Sequence, residues 1–278
     1  MGTLTKLVLG KMGRLRPRPA RAAAKGTIAL PAPDTSGGLP LMQALAARHS
    51  SREFAPDPLP LPLLSNLLWA AFGVNRAGGG RTAPSAINAQ EIDVFVALPA
   101  GAYRYEPQAH ELRRVAAADV RRVTGYQDFV DEAPLDLVYV ADYERMRLVP
   151  AAMRNCYASV AAGAIAQNVY LYAASQGLGT VIRGWIDRAA IADALGLTHD
   201  QEVLLSQTVG YPVAARRAFR APAGARRDSG RGPRASAAAR SPTPGSRRAG
   251  AARSRPGSSG NPSSRGRPAR AAAAPGRG

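Results

Sequence analysis

Lysine is missing from the middle of this 278-residue chain, because Lys6, Lys11 and Lys25 are its only three. Every fixed positive charge between Gly26 and Val213 is therefore a guanidinium. Cysteine is nearly absent too. Cys156 stands alone, which excludes an intrachain disulfide framework and a cysteine zinc site and suits a reducing, cytoplasmic compartment. His49, His110 and His199 lie far apart without metal-ligand spacing, so no metal is expected. No apolar run is long enough to span a bilayer. The N-terminal stretch has only a short apolar patch, Leu7 to Leu9, and no signal-peptide core. Neither secretion nor a membrane partner is expected, although the arginine and alanine content leaves an organelle address open. Acidic residues are scarce at both ends. Residues 1–25 hold seven basic side chains and no acid, and from Ala214 onward 16 arginines face only Asp228. Between them, 14 arginines meet 18 acids. The net charge of +18 thus belongs to the ends, and the body is mildly acidic.

What is present organises into three segments. Residues 1–38, rich in Pro, Gly and basic side chains, read as a flexible lead-in. Residues 39–213 carry the periodic patterns. Leu41, Leu45 and Ala46 share a helical face, and "LPLPLLSNLLWAAFG" places Leu63, Leu64, Leu67, Leu68, Ala71 and Phe72 at helical spacing before Gly73. "IDVFVAL", "AYRY", "HELRRV", "LDLVYVA" and "EVLLSQTVG" read as strands. "ADVRRVTGY" reads as a short helix. The longest helix is expected over 151–176, with small residues on several sides, and Asp187 and Gly196 bound another short one. The expected class is α+β, with a central mixed or antiparallel sheet flanked by helices. Residues 214–278 are almost only Ala, Arg, Pro, Gly and Ser, too poor in apolar side chains to form a core, and read as a disordered tail.

Three stretches could carry chemistry. In "RHSSREF", Arg48 and Arg52 flank His49, Ser50 and Ser51. A guanidinium fork matches phosphate oxygens, and hydroxyls and backbone N–H groups can complete a cradle. The same residues also suit an ordinary basic helix C-terminus. "RTAPSAINAQE" places Pro84, Ser85, Asn88 and Gln90 in a polar loop before a strand, where an amide can face a heterocycle edge or simply close a turn. "SQGLGTVIRGWID" offers Gly177 and Gly179, which either let backbone approach a flat ligand or end a helix. It is not a dinucleotide fingerprint, because it follows a helix and lacks G-x-G-x-x-G.

Taken together and in this order, the three stretches resemble the nitroreductase-like flavoproteins. "KGTIALPAPDTSGGLPLMQAL", "GGRTAPSAINAQEIDV", "AQNVYLYAASQGLGTVIRGWIDR" and "QTVGYP" add to the likeness, which runs from about Lys25 to Pro212. It is nearest the branch containing dehydrogenases that oxidise azoline rings in modified peptides. The resemblance implies a homodimer with FMN at the subunit interface. Arg48, His49, Ser50 and Arg52 would fall in an Arg-x-Ser-x-Arg element, with Arg48 and Ser50 on phosphate and ribityl and Arg52 near N1 and O2. Pro84, Ser85 and Asn88 would come from the other subunit. The backbone at Arg183 and Gly184, after Gly179, would face N5. A basic residue after the last strand would contact phosphate, with Arg216 or Arg217 as candidates. The azoline-oxidising enzymes use a Lys–Tyr pair, which a lysine-free body cannot supply.

The implied activity is hydride transfer from NADH or NADPH through FMN to a flat small-molecule electron acceptor, a nitroaromatic or quinone, in ping-pong order. It needs no dedicated acid–base side chain, so no catalytic residue is expected. Two other classes stay open: a flavin-binding protein without turnover, and a nucleic-acid-binding protein acting through its basic ends. The tail has too few aromatics for base stacking, so weak nonspecific nucleic-acid binding is the most it is expected to give.

Overall fold

The computed structural model describes residues 26–130 and 132–213. The basic residues 1–25, the tail 214–278, and with it Arg216 and Arg217, lie outside the described residues.

Seven antiparallel strands form one sheet: β1 (Thr27–Ala29), β2 (Ile92–Leu98), β3 (Gly101–Glu106), β4 (Glu111–Ala116), β5 (Leu135–Asp142), β6 (Gly179–Arg183) and β7 (Gln201–Gly210). Their spatial order is β1-β4-β3-β2-β5-β7-β6. Among the described residues, four α-helices accompany them: α1 (Leu41–Ala47), α2 (Leu61–Phe72), α3 (Ala151–Ser175) and α4 (Arg188–Leu195). Side chains alternate along a strand, so each central strand serves two cores. Leu135, Leu137, Tyr139 and Ala141 of β5 join Val94 and Val96 against α2 and α3. Val138 and Val140 point the other way, with Phe95, Ala97 and Val203, against Ile191, Ala194 and Leu195 of α4.

The α+β expectation and the central strands agree with this architecture. Two local expectations do not. Order starts before residue 39: Thr27–Ala29 pair with Glu111–Arg113 of β4, so the lead-in cannot reach residue 38. "ADVRRVTGY" forms only a 3-10 turn, Arg121–Val123. Its side chains bond the local backbone instead of leaving it to a helix. Asp119 accepts from the Arg121 N–H at 3.0 Å, and the Thr124 hydroxyl donates to the Arg121 carbonyl at 2.8 Å. Helix α1 forms as expected and buries only Ala44, with Leu41 and Leu45 exposed.

The long helix α3 has an inner face of Ala158, Ala161, Ala162, Ile165, Ala166, Val169, Tyr170 and Ala173. Its alanines let it lie close to the sheet. Met153, Val160 and Gly163 are exposed on the opposite side.

Candidate functional site

The first and third flagged stretches meet at the end of the sheet. Helix α1 stops at Arg48, whose N–H donates to the Ala44 carbonyl, and the chain turns extended there. The Ser51 N–H then donates to the Thr180 carbonyl of β6 at 2.9 Å. Downstream, Phe54 bridges to Pro212, and the Ala55 N–H donates to the Tyr211 carbonyl at 2.8 Å. The segment is thus a strand-like strap laid against the sheet end.

Arg48, His49, Ser50 and Arg52 are all exposed on that strap. Tyr170 on α3 holds it in place. Its hydroxyl accepts the Ile182 N–H at 3.0 Å and lies 2.9 Å from the Ser50 hydroxyl. The Arg48 guanidinium sits over its ring at 5.3 Å. Arg52 has no side-chain hydrogen bond or ion pair among the described residues. His49 turns back to the Ala47 carbonyl at 2.9 Å. Sequence reasoning missed Tyr170. Its signal was position: it lies four residues after Ala166 and three before Ala173, on the buried face of α3.

Two glycines here have different reasons. A Cβ on Gly179 would stand 2.9 Å from the Ser51 Cβ, so the strap requires glycine. A Cβ on Gly184 would meet only Leu205, at an ordinary 3.6 Å, so packing within the chain does not explain glycine there. Gly184 is exposed and lines a surface pocket with Trp185, Asp187 and Arg188. Trp185 meets the edge of Tyr126 at 6.3 Å.

The Arg183 side chain turns inward. It donates to Asp136 at 2.7 Å, and Asp136 also takes the Thr208 hydroxyl. Phe129 lies under the guanidinium at 5.6 Å, and the Nε and Nη1 groups find no acceptor. Burial pushes the Asp136 carboxyl up, and it draws Arg183 down. The Arg183 side chain is therefore committed inside the chain, and its strand position pairs with Ser206 of β7.

Pro84, Ser85 and Asn88 lie on a separate loop. No hydrogen bond or ring contact among the described residues joins them to the strap or to β6. Three non-glycine residues of this loop, Ile87, Asn88 and Gln90, have φ of 49°, 55° and 51°. Such backbone persists only where its surroundings hold it. Gln90 is the clamp. Its N–H donates to the Ser85 hydroxyl, and its amide accepts from Arg81 and donates to the Gly79 carbonyl, all at 2.9 Å.

The strap's donors suit a phosphorylated cofactor. Arg48, Ser50 and Arg52 share one exposed segment with fixed backbone. None of the three is committed to a carboxylate among the described residues.

Comparison with known proteins gives the family. The pattern of the nitroreductase family matches residues 45–211. A protein of Methanocaldococcus jannaschii named as a nitroreductase is 36% identical over 154 residues, covering 52% of this chain and 78% of that protein. A crystal structure from Ralstonia eutropha JMP134, also named as a nitroreductase, is 54% identical, with a TM-score of 0.67 over 73% of this chain and 97% of the other. The Escherichia coli microcin synthetase complex McbBCD is similar in fold alone: 22% identity, a TM-score of 0.52, 58% of this chain and 68% of that one. The nearer likenesses are thus to nitroreductases, not to the peptide-modifying branch the sequence resembled. No helix among the described residues is long and apolar enough to cross a membrane. The chain belongs to the nitroreductase family of enzymes.

Proposed function

We propose that this enzyme is an FMN-dependent oxidoreductase that draws on NADH or NADPH and reduces a flat acceptor such as a nitroaromatic or quinone. The observation that carries the reading is the strap. Exposed donors without carboxylate partners stand on a backbone locked to β6 and α3. Arg48 and the Ser50 hydroxyl would hold phosphate and ribityl, with His49 beside them. Arg52 would set a fixed positive charge beside the pyrimidine edge, where preorganised charge needs little rearrangement. The backbone at Arg183 and the exposed Gly184, held by the Asp136 pair beneath it, would present its polar groups to N5. Gly179 would serve the site indirectly, by letting the strap lie flat. FMN, when bound, would supply the two-electron redox chemistry between nicotinamide and acceptor.

The site would be completed by a second copy of the chain. Among the described residues, no hydrogen bond or ring contact joins Pro84, Ser85 or Asn88 to the strap of their own subunit, which fits delivery to a partner's flavin. The exposed Met153, Val160 and Gly163 of α3, with Leu41 and Met42 of α1, give an apolar face for that homodimer.

The absorption spectrum of the purified protein, before and after incubation with FMN, tests the reading. Bound-flavin bands and FMN-dependent oxidation of NADH or NADPH with a quinone are expected. Protein that stays colourless in excess FMN overturns it. Bound flavin with no nicotinamide oxidation removes the oxidoreductase part alone.

A further inference from the structure

A second polar cavity lies away from the strap, where the sheet splits. Strands β2 and β3 pair from Leu98↔Gly101 to Phe95↔Arg104 and then stop. Both strands continue, β2 back to Ile92 along β5 and β3 on to Glu106 along β4. The opening between them is a cavity of about 210 Å³. Asp93, Arg104, Glu106 and Arg145 line it, with Arg81 and Phe72. One water needs only ~10–15 Å³ by this measure, so the space admits a small ligand.

Three arginines line it against two carboxylates, and Asp142 outside the lining also meets Arg145 at 3.2 Å. Asp93 accepts Arg145 at 2.8 and 3.0 Å and has Arg104 at 3.6 Å. Glu106 is shared by Arg104 at 2.8 Å and Arg113 at 2.7 Å. Each carboxylate thus already serves two arginines. Arg81 has no carboxylate within ion-pair distance among the described residues. It is only 9% exposed, lies 5.3 Å over the Phe72 ring, and spends its Nε on the Gln90 amide at 2.9 Å. Its Nη1 has no acceptor. A buried guanidinium N–H left without a partner is costly, and none of the described residues supplies the missing oxygen.

We propose that this cavity is a binding site for a small oxyanion, a carboxylate or a phosphate, held by Arg81 and flanked by Arg104 and Arg145. The guanidinium fork of Arg81 suits two oxygens of one ligand. The same side chain grips Gln90, so the ligand would sit beneath the left-handed loop 87–90 and stiffen it. The proposal does not depend on flavin binding, since the strap residues take no part.

Thermal unfolding of the full chain, at constant ionic strength with inorganic phosphate or acetate replacing chloride, tests this, together with ³¹P line widths of phosphate. The better of the two anions should raise Tm by on the order of 2–4 °C in the wild type, in Arg147→Gln and in Arg48→Ala. The same anion should lose most of its effect in Arg81→Gln. The phosphate and acetate arms tell which oxyanion fits. If Arg81→Gln does not fold, Arg104→Gln should show a weaker effect than wild type. Three results overturn the proposal: no stabilisation beyond chloride, an undiminished effect in Arg81→Gln (or in Arg104→Gln where that variant stands in), or an effect lost in Arg48→Ala, which places the anion on the strap.

Discussion

Arg48 and Arg183 lie on neighbouring parts of the same sheet end, yet they are used in opposite ways. Arg48 is exposed, lies over the Tyr170 ring, and has no carboxylate partner among the described residues. Arg183 is 6% exposed and gives its strongest bond to the fully buried Asp136. From sequence, Arg48 was flagged for its guanidinium and Arg183 for its backbone. The difference is set by strand position: Arg183 ends β6 and reaches past the intervening β7 to a carboxylate on β5, whereas Arg48 follows a helix end with no carboxylate within ion-pair distance among the described residues. One consequence separates them sharply. Arg183→Met leaves Asp136 buried without its cation and should destabilise the fold by about 3–5 kcal/mol. Arg48→Met forfeits one exposed cation–π contact, about 0.5–1 kcal/mol. Denaturant unfolding of the two variants checks this, and equal losses would erase the distinction.

The reverse ranking is expected for cofactor binding. Arg48→Ala and Ser50→Ala each remove a hydrogen bond to a charged group, about 1.5–3 kcal/mol, or roughly tenfold to a hundredfold in the FMN dissociation constant. Flavin fluorescence quenching on titration measures it. If both variants bind FMN as the wild type does, the strap is not the phosphate cradle.

The central strands and α2, α3 and α4 were legible because their periodicity is strong and local. Val94, Val96 and Leu137 alternate with Asp93, Phe95 and Val138, and the two faces of each strand can be counted from the sequence. Strand β1 was not legible. It is three residues long, and its only distinguishing feature is a partner, Glu111–Arg113, more than eighty positions away. The turn at Arg121 was misread for a related reason, since Asp119 and Thr124 capture backbone groups that a helical pattern assumes are free. In the site, the exposed strap residues could be picked out by type. Tyr170 could not, because its role comes from where α3 crosses the strap. The inward turn of Arg183 was hidden likewise, because Asp136 is a charge inside an otherwise apolar strand.

The two glycines sharpen the contrast between fold and ligand. Gly179→Ala forces a Cβ against Ser51, and overpacking of this kind costs about 1–3 kcal/mol, with the strap displaced. Gly184→Ala meets only ordinary contact and should leave Tm nearly unchanged. If Gly184 borders the flavin, that silent variant should still slow nicotinamide oxidation. A Gly184→Ala enzyme with unchanged turnover would remove the backbone there from the proposed site.

The smallest expected effect concerns His110, a third residue that could have been a ligand and is internal instead. Its ring sits at the β3–β4 turn with φ of 51°. Nδ1 lies 2.9 Å from the Tyr105 hydroxyl, and Nε2 lies 2.7 Å from the Ser65 hydroxyl, which itself donates to the Pro31 carbonyl at 2.6 Å. That network fits a neutral ring, with Nε2–H donating and Nδ1 accepting from Tyr105, whose proton is secure because burial pushes its pKa far up. Burial likewise lowers the His110 pKa below its ordinary 6.5. The sign follows: the folded state disfavours the imidazolium, so this contribution is complete above pH 6.5 and is lost as pH falls through the lowered folded value. Asparagine tolerates the same left-handed backbone and does not titrate there. His110→Asn should therefore be less stable than the wild type at pH 8, since it loses the network, but should decline less between pH 7 and 5. Parallel stability curves for the two proteins over that range would show that His110 does not link its protonation to folding.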